Sequence, residues 1–289
     1  MVEIAGIKMK NPVMAASGTF GFGEEYSELM DLNKLGALVT KSVTLKPREG
    51  NPPPRITETP AGMLNSIGLQ NEGLKVFLEK HLPYLSKFEV PVIVNVAGET
   101  IEEYAEVCKA LSREPKVKGV ELNISCPNVQ RGGMSFGVDP ALTEEIVKKV
   151  RPCARMPVIV KLTPNVTDIT VIAKAAVNAG ADALSLINTV LGMAIDVKTK
   201  KPKLKTITGG LSGPAIRPIA VRMVWQVAQA VKIPIIGIGG IVTAEDALEF
   251  FLAGASAVQV GTANFVDCEA ALKIIEGLKA YNLSDKMAP

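Results

Sequence analysis

One alternation, repeated eight times along the chain, constrains the fold more than any single residue. Short apolar runs at 13–16, 37–40, 91–96, 119–123, 157–162, 183–187, 234–238 and 257–260 read as strands. Helical patterns follow them in turn at 24–32, 72–86, 100–111, 140–151, 168–179, 215–231, 243–253 and 264–278. The runs are rich in β-branched residues and nearly free of polar interruption, as strands covered on both faces of a parallel sheet should be. Several begin just after a helix-ending Gly or Pro, at Leu35-Gly36, Met156-Pro157, Ala179-Gly180, Ile233-Pro234 and Ala253-Gly254. Eight βα units in 289 residues predict an α/β protein, a (β/α)8 TIM barrel forming one domain over 1–289. An open, doubly wound sheet is the competing arrangement, but it rarely needs eight successive units. Ahead of the first unit, residues 2–10 are expected to form a hairpin.

The charge balance narrows the partners. A formal net charge of +3 on this length gives no reason to invoke nucleic acid or an anionic membrane. The longest apolar stretch, 173–195, is broken by Asn178, Asp182 and Asn188, so it would not span a bilayer cheaply. The N-terminal residues mix acidic and basic side chains and do not resemble a signal peptide, which points to the cytoplasm. The four cysteines, Cys108, Cys126, Cys153 and Cys268, form no CxxC pair and match no zinc or iron–sulfur spacing. No metal is expected, and a single cysteine with a special neighbourhood becomes the feature to look for.

Three connections are long, 41–71, 124–139 and 188–214, and each leaves the C-terminal end of a strand. In a barrel of this kind that end is the catalytic face. Polar or glycine positions gather there: Ser17, Lys41 and Ser42, Asn95, Asn123, Lys161, Asn188 and Thr189, Gly239 and Gly240, Gly261 and Thr262. An unsatisfied buried polar group costs about 1–3 kcal/mol, so a bound polar ligand is the economical reading. Glycines after strands seven and eight suit close approach to a phosphate, with a tight βα turn as the plainer alternative. Asn95, Asn123 and Asn188, joined by Asn65 from the second loop, offer the alternating donors and acceptors that a flat amide or imide ring needs. Capping of loops would also account for each of them singly.

Lys161 closes a strongly apolar run, PVIVKL, where a lysine is either paired or functional. It suits negative charge developing on a reduced ring, or a Schiff base. Lys41 is placed to meet a substrate carboxylate. Cys126 sits just past strand four in Asn123-Ile124-Ser125-Cys126-Pro127-Asn128. The one histidine, His81, falls near the end of the second helix and is expected to lie far from this face, leaving cysteine as the side chain that titrates near neutrality. Lys198, Lys200, Lys201, Lys203 and Lys205 read as a solvated hairpin, with docking of a partner as the alternative.

These residues carry a resemblance. AASGTFG, TKSVT, NSIGLQNEG, NISCPNV, GLSGPAIRP, IGIGGI and VQVGTANF, in this order between Asn11 and Gly277, resemble the class 1 dihydroorotate dehydrogenases, and in particular the type 1B catalytic subunit. The resemblance implies FMN, one per chain, contacting Ser17, Lys41, Ser42, Asn95, Asn123, Lys161, Ile187, Gly213, Gly239, Gly240, Gly261 and Thr262. It implies dihydroorotate at Lys41, Asn65, Ser66, Ile67, Gly68, Leu69, Asn123, Asn188 and Thr189. Cys126 would take the C5 proton while the C6 hydride passes to FMN N5, and Lys161 would stabilise the reduced ring. The product would be orotate, a step of pyrimidine biosynthesis. It also implies a homodimer core joined by an electron-transfer subunit, a heterotetramer in which FAD and a [2Fe–2S] cluster carry electrons to NAD. Three rivals remain at this point: a related flavin barrel acting on dihydrouracil or dihydrothymine, a Schiff-base aldolase built on Lys161, and a non-catalytic phosphate-binding barrel, which would leave Cys126 on its loop unexplained.

Overall fold

The computed structural model describes residues 1–125, 127–128 and 134–281. Eight parallel strands close into a barrel in chain order: Val13–Ala15, Ala37–Val39, Val92–Val96, Val117–Asn123, Val158–Leu162, Ala183–Leu186, Ile235–Ile238 and Ala257–Val260. The eighth pairs with the first through Val258 and Val13, which shuts the ring and leaves no open edge. The barrel expectation therefore holds over the open sheet.

Side chains on these strands alternate inward and outward with a period of two, so each strand stacks residues in layers inside the barrel. The bottom layer is apolar: Met14, Val39, Ile93, Ile159, Ala183, Ile236 and Ala257. Strands Val2–Ile4 and Ile7–Met9 form the expected antiparallel hairpin and plug this end with Ile4, Ile7 and Met9. Gly119 makes room for the plug, since a Cβ there would stand 2.8 Å from Ile7 Cδ1. Each fully buried aliphatic of this kind contributes about 1.5–3 kcal/mol. The bottom of the barrel is thereby sealed, and chemistry is left to the other end.

Helices begin just past the strands' C-terminal ends, and several are fastened there by side-chain caps. Thr100 accepts from Glu103 N, Asp139 from Ala141 N and Leu142 N, and Asp168 from Thr170 N, while Thr243 and Asp246 form a reciprocal capping box. Such caps contribute about 1 kcal/mol each and fix where the mouth's rim lies. Three helices differ from expectation. The first is only Glu24–Ser27, followed by a 3-10 turn at Leu32–Lys34. The second is interrupted by a π turn at Phe77–His81, between Gly73–Val76 and Leu82–Leu85. The last divides into Ala263–Val266 and Ala270–Leu278, because Asp267 accepts from Glu269 N and turns the chain between them.

The long connections are not structureless. Strands Val190–Met193, Thr208–Ser212, Gly62–Asn65 and Ile56–Thr59 pair in that order into an antiparallel sheet above the barrel, drawn from the second and sixth connections. The lysine-rich segment is a hairpin, Ile195–Asp196 against Lys201–Pro202, as expected. Among the described residues, no helix is long and apolar enough to cross a membrane.

Candidate active site

Two residues further along the same strands, the barrel interior turns polar. Ile93 is followed by Asn95, Gly119 by Glu121, Ile159 by Lys161, Ala183 by Ser185 and Ala257 by Gln259. All five side chains are buried, with Glu121 fully so and Lys161 6% exposed. Glu121 stands at their centre. Its Oε1 accepts from Asn95 Nδ2 at 2.7 Å, and its Oε2 accepts from Ser185 Oγ at 2.9 Å and Gln259 Nε2 at 2.7 Å. Lys161 Nζ lies 3.6 Å from Glu121 Oε1. That distance makes an ion pair but not a hydrogen bond, so the ammonium retains its N–H groups for another acceptor. Ser42 Oγ donates to Asn95 Oδ1, which ties the second strand's end into the same network. Stripping a buried carboxylate of its partners costs about 3–5 kcal/mol, so this layer is rigid.

One layer higher, at the mouth, Asn188 Nδ2 donates to Asn123 Oδ1 at 3.2 Å and to Ser125 Oγ at 2.9 Å. Tyr104, buried on the helix Ile101–Leu111, donates its hydroxyl to Asn123 O at 2.6 Å and fixes the strand end. Asn123 and Asn188 thus meet directly, although 65 residues separate them. The sheet above the barrel brings in more of the expected residues. Asn65 Nδ2 donates to Gly210 O at 3.4 Å, and a Cβ on Gly210 would fall 2.1 Å from Thr189 Oγ1. Asn65 and Thr189 therefore lie on either side of one glycine. The loop through Ser66, Ile67, Gly68 and Leu69 is pinned at both ends. Ser66 N donates to Arg55 O, Asn51 N donates to Ile67 O, and Asn71 Nδ2 donates to Leu69 O. Leu69 sits at φ +59, a left-handed conformation that a bulky residue holds only when its surroundings impose it. Among the described residues, buried Ser66 Oγ has no hydrogen-bond partner, a group with bonding capacity to spare.

The glycine positions gather at another corner. Gly213 and Gly240 have φ of +96 and +72. A Cβ on Gly240 would stand 2.8 Å from both Gly213 O and Arg217 Cβ, and one on Gly213 would approach Thr262 Cγ2 to 3.6 Å. Thr262 Oγ1 donates to Ser212 Oγ at 2.8 Å. Gly261 faces Ala16, which with Ser17 lies just past the first strand. The Arg217 guanidinium is already engaged by Asp246 and Glu249, so among the described residues it is backbone groups and hydroxyls that line this corner. The four-residue helix Ala263–Val266 also lends it little dipole.

Lys41, at the end of the second strand, is half-buried. Burial first, and then the Arg55 guanidinium, pull its pKa below the usual lysine range, partly opposed by Glu25 and Glu72. His81 is not as far from this face as its place in the sequence suggested. Helical side chains lean toward the helix start, and its ring reaches Glu72 Oε2 at 2.7 Å and Glu24 Oε1 at 2.9 Å while stacking on Phe22. Buried and held on both nitrogens, it is not offered to the mouth. Cys126 lies outside the described residues. Of the other cysteines, Cys108 is buried and its thiol pKa is driven up by desolvation, and Cys153 donates to Lys149 O at 3.6 Å.

Glu121, Ser185 and Gln259 escaped the sequence reading. The signal was the offset: each stands two residues past an apolar bottom-layer position, as Asn95 and Lys161 do.

Known proteins agree with this architecture. The family model for dihydroorotate dehydrogenase matches residues 1–281. The dihydroorotate dehydrogenase B (NAD(+)) catalytic subunit of Geotalea uraniireducens is 60% identical over 280 residues, covering 97% of this chain and 92% of that protein. The subunit of the same name from Thermoanaerobacter sp. is 59% identical over the same length and coverage. The crystal structure of DHODH from Eimeria tenella in complex with ferulenol superposes with a TM-score of 0.82, covering 99% of this chain and 87% of that one, at 24% identity, a likeness of fold. With the family model spanning nearly its whole length and relatives at this identity, the chain belongs to the dihydroorotate dehydrogenase family.

Proposed function

We propose that this chain is the catalytic subunit of a type 1B dihydroorotate dehydrogenase, a single FMN-binding domain over 1–289 that oxidises (S)-dihydroorotate to orotate in the cytoplasm. The observation that carries the reading is the direct meeting of Asn123 and Asn188 above a buried lysine. A flat ring with an alternating amide edge fits two convergent carboxamides, and charge developing beside it is matched by the ammonium of Lys161.

The residues present fit FMN. A Cβ would fill the corner at Gly240, leaving glycine backbone at Gly213, Gly239, Gly240 and Gly261, with Thr262, to hold the phosphate. Lys161, with N–H groups to give, and Asn95, Asn123, Ser42, Lys41, Ser17 and Ile187 would hold the ring system. The chemistry that FMN supplies when bound is acceptance of the hydride that leaves C6 of the substrate. Cys126 takes the C5 proton, so the substrate loses a hydride and a proton and gains a ring double bond. Asn65 to Leu69, Asn123, Asn188 and Thr189 orient the ring. The unpartnered Ser66 hydroxyl would find an acceptor there. Lys41 pairs with the carboxylate that distinguishes dihydroorotate from dihydrouracil.

Electrons leave for NAD through a second subunit carrying FAD and a [2Fe–2S] cluster, on a homodimer core. The sequence has neither a cysteine pattern for such a cluster nor a dinucleotide fingerprint. The purified chain should be yellow and release FMN on denaturation. A colourless protein that takes up no FMN, but is trapped covalently with an aldehyde substrate by borohydride, would point to a Schiff-base aldolase.

The state of Lys41 gives a pH dependence. Its folded pKa lies below the ordinary lysine value, so its charge is lost as pH rises through that lowered value. The KM for dihydroorotate should therefore rise toward alkaline pH, and earlier than an unperturbed lysine would allow. Lys41→Met should abolish that rise, and a KM flat with pH in the wild type would remove Lys41 from the carboxylate site.

A further inference from the structure

We infer that Glu121 is a positioning residue for Lys161, setting through it the electron affinity of the bound flavin. The proposal rests on the FMN reading above. Glu121 is fully buried and receives two carboxamide N–H groups, one on each oxygen, and a serine hydroxyl on the second. Those donors come from the third, sixth and eighth strands, so the carboxylate is held from three sides of the barrel. A group that accepts on both oxygens in this way acts as an acceptor, the role of the ionised form. Lys161 Nζ, 3.6 Å away, is the one cation beside it among the described residues, and it is held by charge without being consumed as a donor. The pair thus delivers an ammonium whose N–H groups are directed elsewhere and whose charge is offset from below. Asn95, which also binds Glu121, sits in the same layer, so one carboxylate orients two of the groups expected to touch the flavin.

Removing the negative charge leaves the Lys161 ammonium without its counter-charge, and a flavin above it then gains electron density more readily. Sulfite, which adds reversibly to oxidised flavins and binds more tightly as their electron affinity rises, is a probe that needs no turnover. In Glu121→Gln, sulfite affinity is expected to rise at least about tenfold, because the Lys161 ammonium loses the carboxylate that offsets its charge. The midpoint potential of FMN should rise in step, by about 30 mV per tenfold for a two-electron couple. In a Lys161→Met background the same change should have a markedly smaller effect, limited to the direct influence of the carboxylate, because Glu121 acts chiefly through Lys161.

Glu121→Asp, which keeps the charge but shortens the reach, covers the case in which the amide variant does not fold. It should shift sulfite affinity in the same direction by a smaller factor. Unchanged sulfite affinity in whichever flavin-loaded variant is obtained, or an equal shift with and without Lys161, would overturn the proposal. A wild-type protein that binds no FMN would overturn the flavin reading and this proposal with it. A yellow wild type with a silent variant would overturn this proposal alone.

Discussion

Cys126→Ala is expected to retain bound FMN while its anaerobic reduction by dihydroorotate slows by about 10³-fold, within the 10²–10⁴ range that a positioned general base contributes. The argument runs through its surroundings. Ser125, its covalent neighbour, accepts a hydrogen bond from Asn188, so the chain enters the 126–133 segment from the same polar cluster that would seat the ring. Among the described residues, neither the histidine nor the buried Cys108 is offered to take a proton at the mouth. His81 is held on both nitrogens by Glu24 and Glu72, and Cys108 is buried in the core with its thiol pKa driven up. Lys161 is paired with the buried Glu121 and is proposed to hold the flavin. Stopped-flow absorbance of the flavin measures the step directly, separate from electron exit to any partner. Reduction of the alanine variant at the wild-type rate would exclude Cys126 as the base.

A comparable loss is expected at the opposite corner, by addition of atoms and not by removal. Gly240→Val should yield protein free of FMN. The residue occupies φ +72, which a β-branched side chain adopts only at a cost of order 1–3 kcal/mol. Its Cβ would also stand 2.8 Å from Gly213 O, a backbone atom that does not yield as a flexible side chain would. The strain falls between the loops after strands six and seven, where the phosphate is proposed to lie. Absorbance near the flavin bands, together with circular dichroism to verify the fold, decides the matter. A folded, fully yellow variant would move the phosphate elsewhere.

The barrel could be read from the sequence because its evidence is repetitive. Eight apolar runs reinforce one another, and errors of a residue or two at their ends change nothing. Asn95, Asn123, Lys161 and Asn188 were legible because a polar residue at the end of an apolar run is conspicuous. Glu121 was not, for it is followed by Leu122 and Asn123 and looks like ordinary strand variation. Its meaning emerges only when barrel closure brings Gln259, 138 positions away, to its second oxygen. The sheet over the mouth was hidden for a related reason. Its strands come from segments about 145 residues apart, and pairing across such a distance leaves no local periodicity to detect. The split of the last helix turned on one Asx turn at Asp267, a short-range effect that helical periodicity does not register.

That sheet has a consequence for how the molecule can change over time. The ladder joining Met63, Leu64 and Asn65 to Ser212, Leu211 and Gly210 binds the second connection to the sixth, register for register. An insertion of one residue in either would turn every facing side chain to the other side of the sheet. Neither segment is free to drift in length as surface loops usually do. A lineage that altered ring preference here would have to alter both stretches together, so new substrate ranges in this architecture should arise by exchange of the two segments as a matched set.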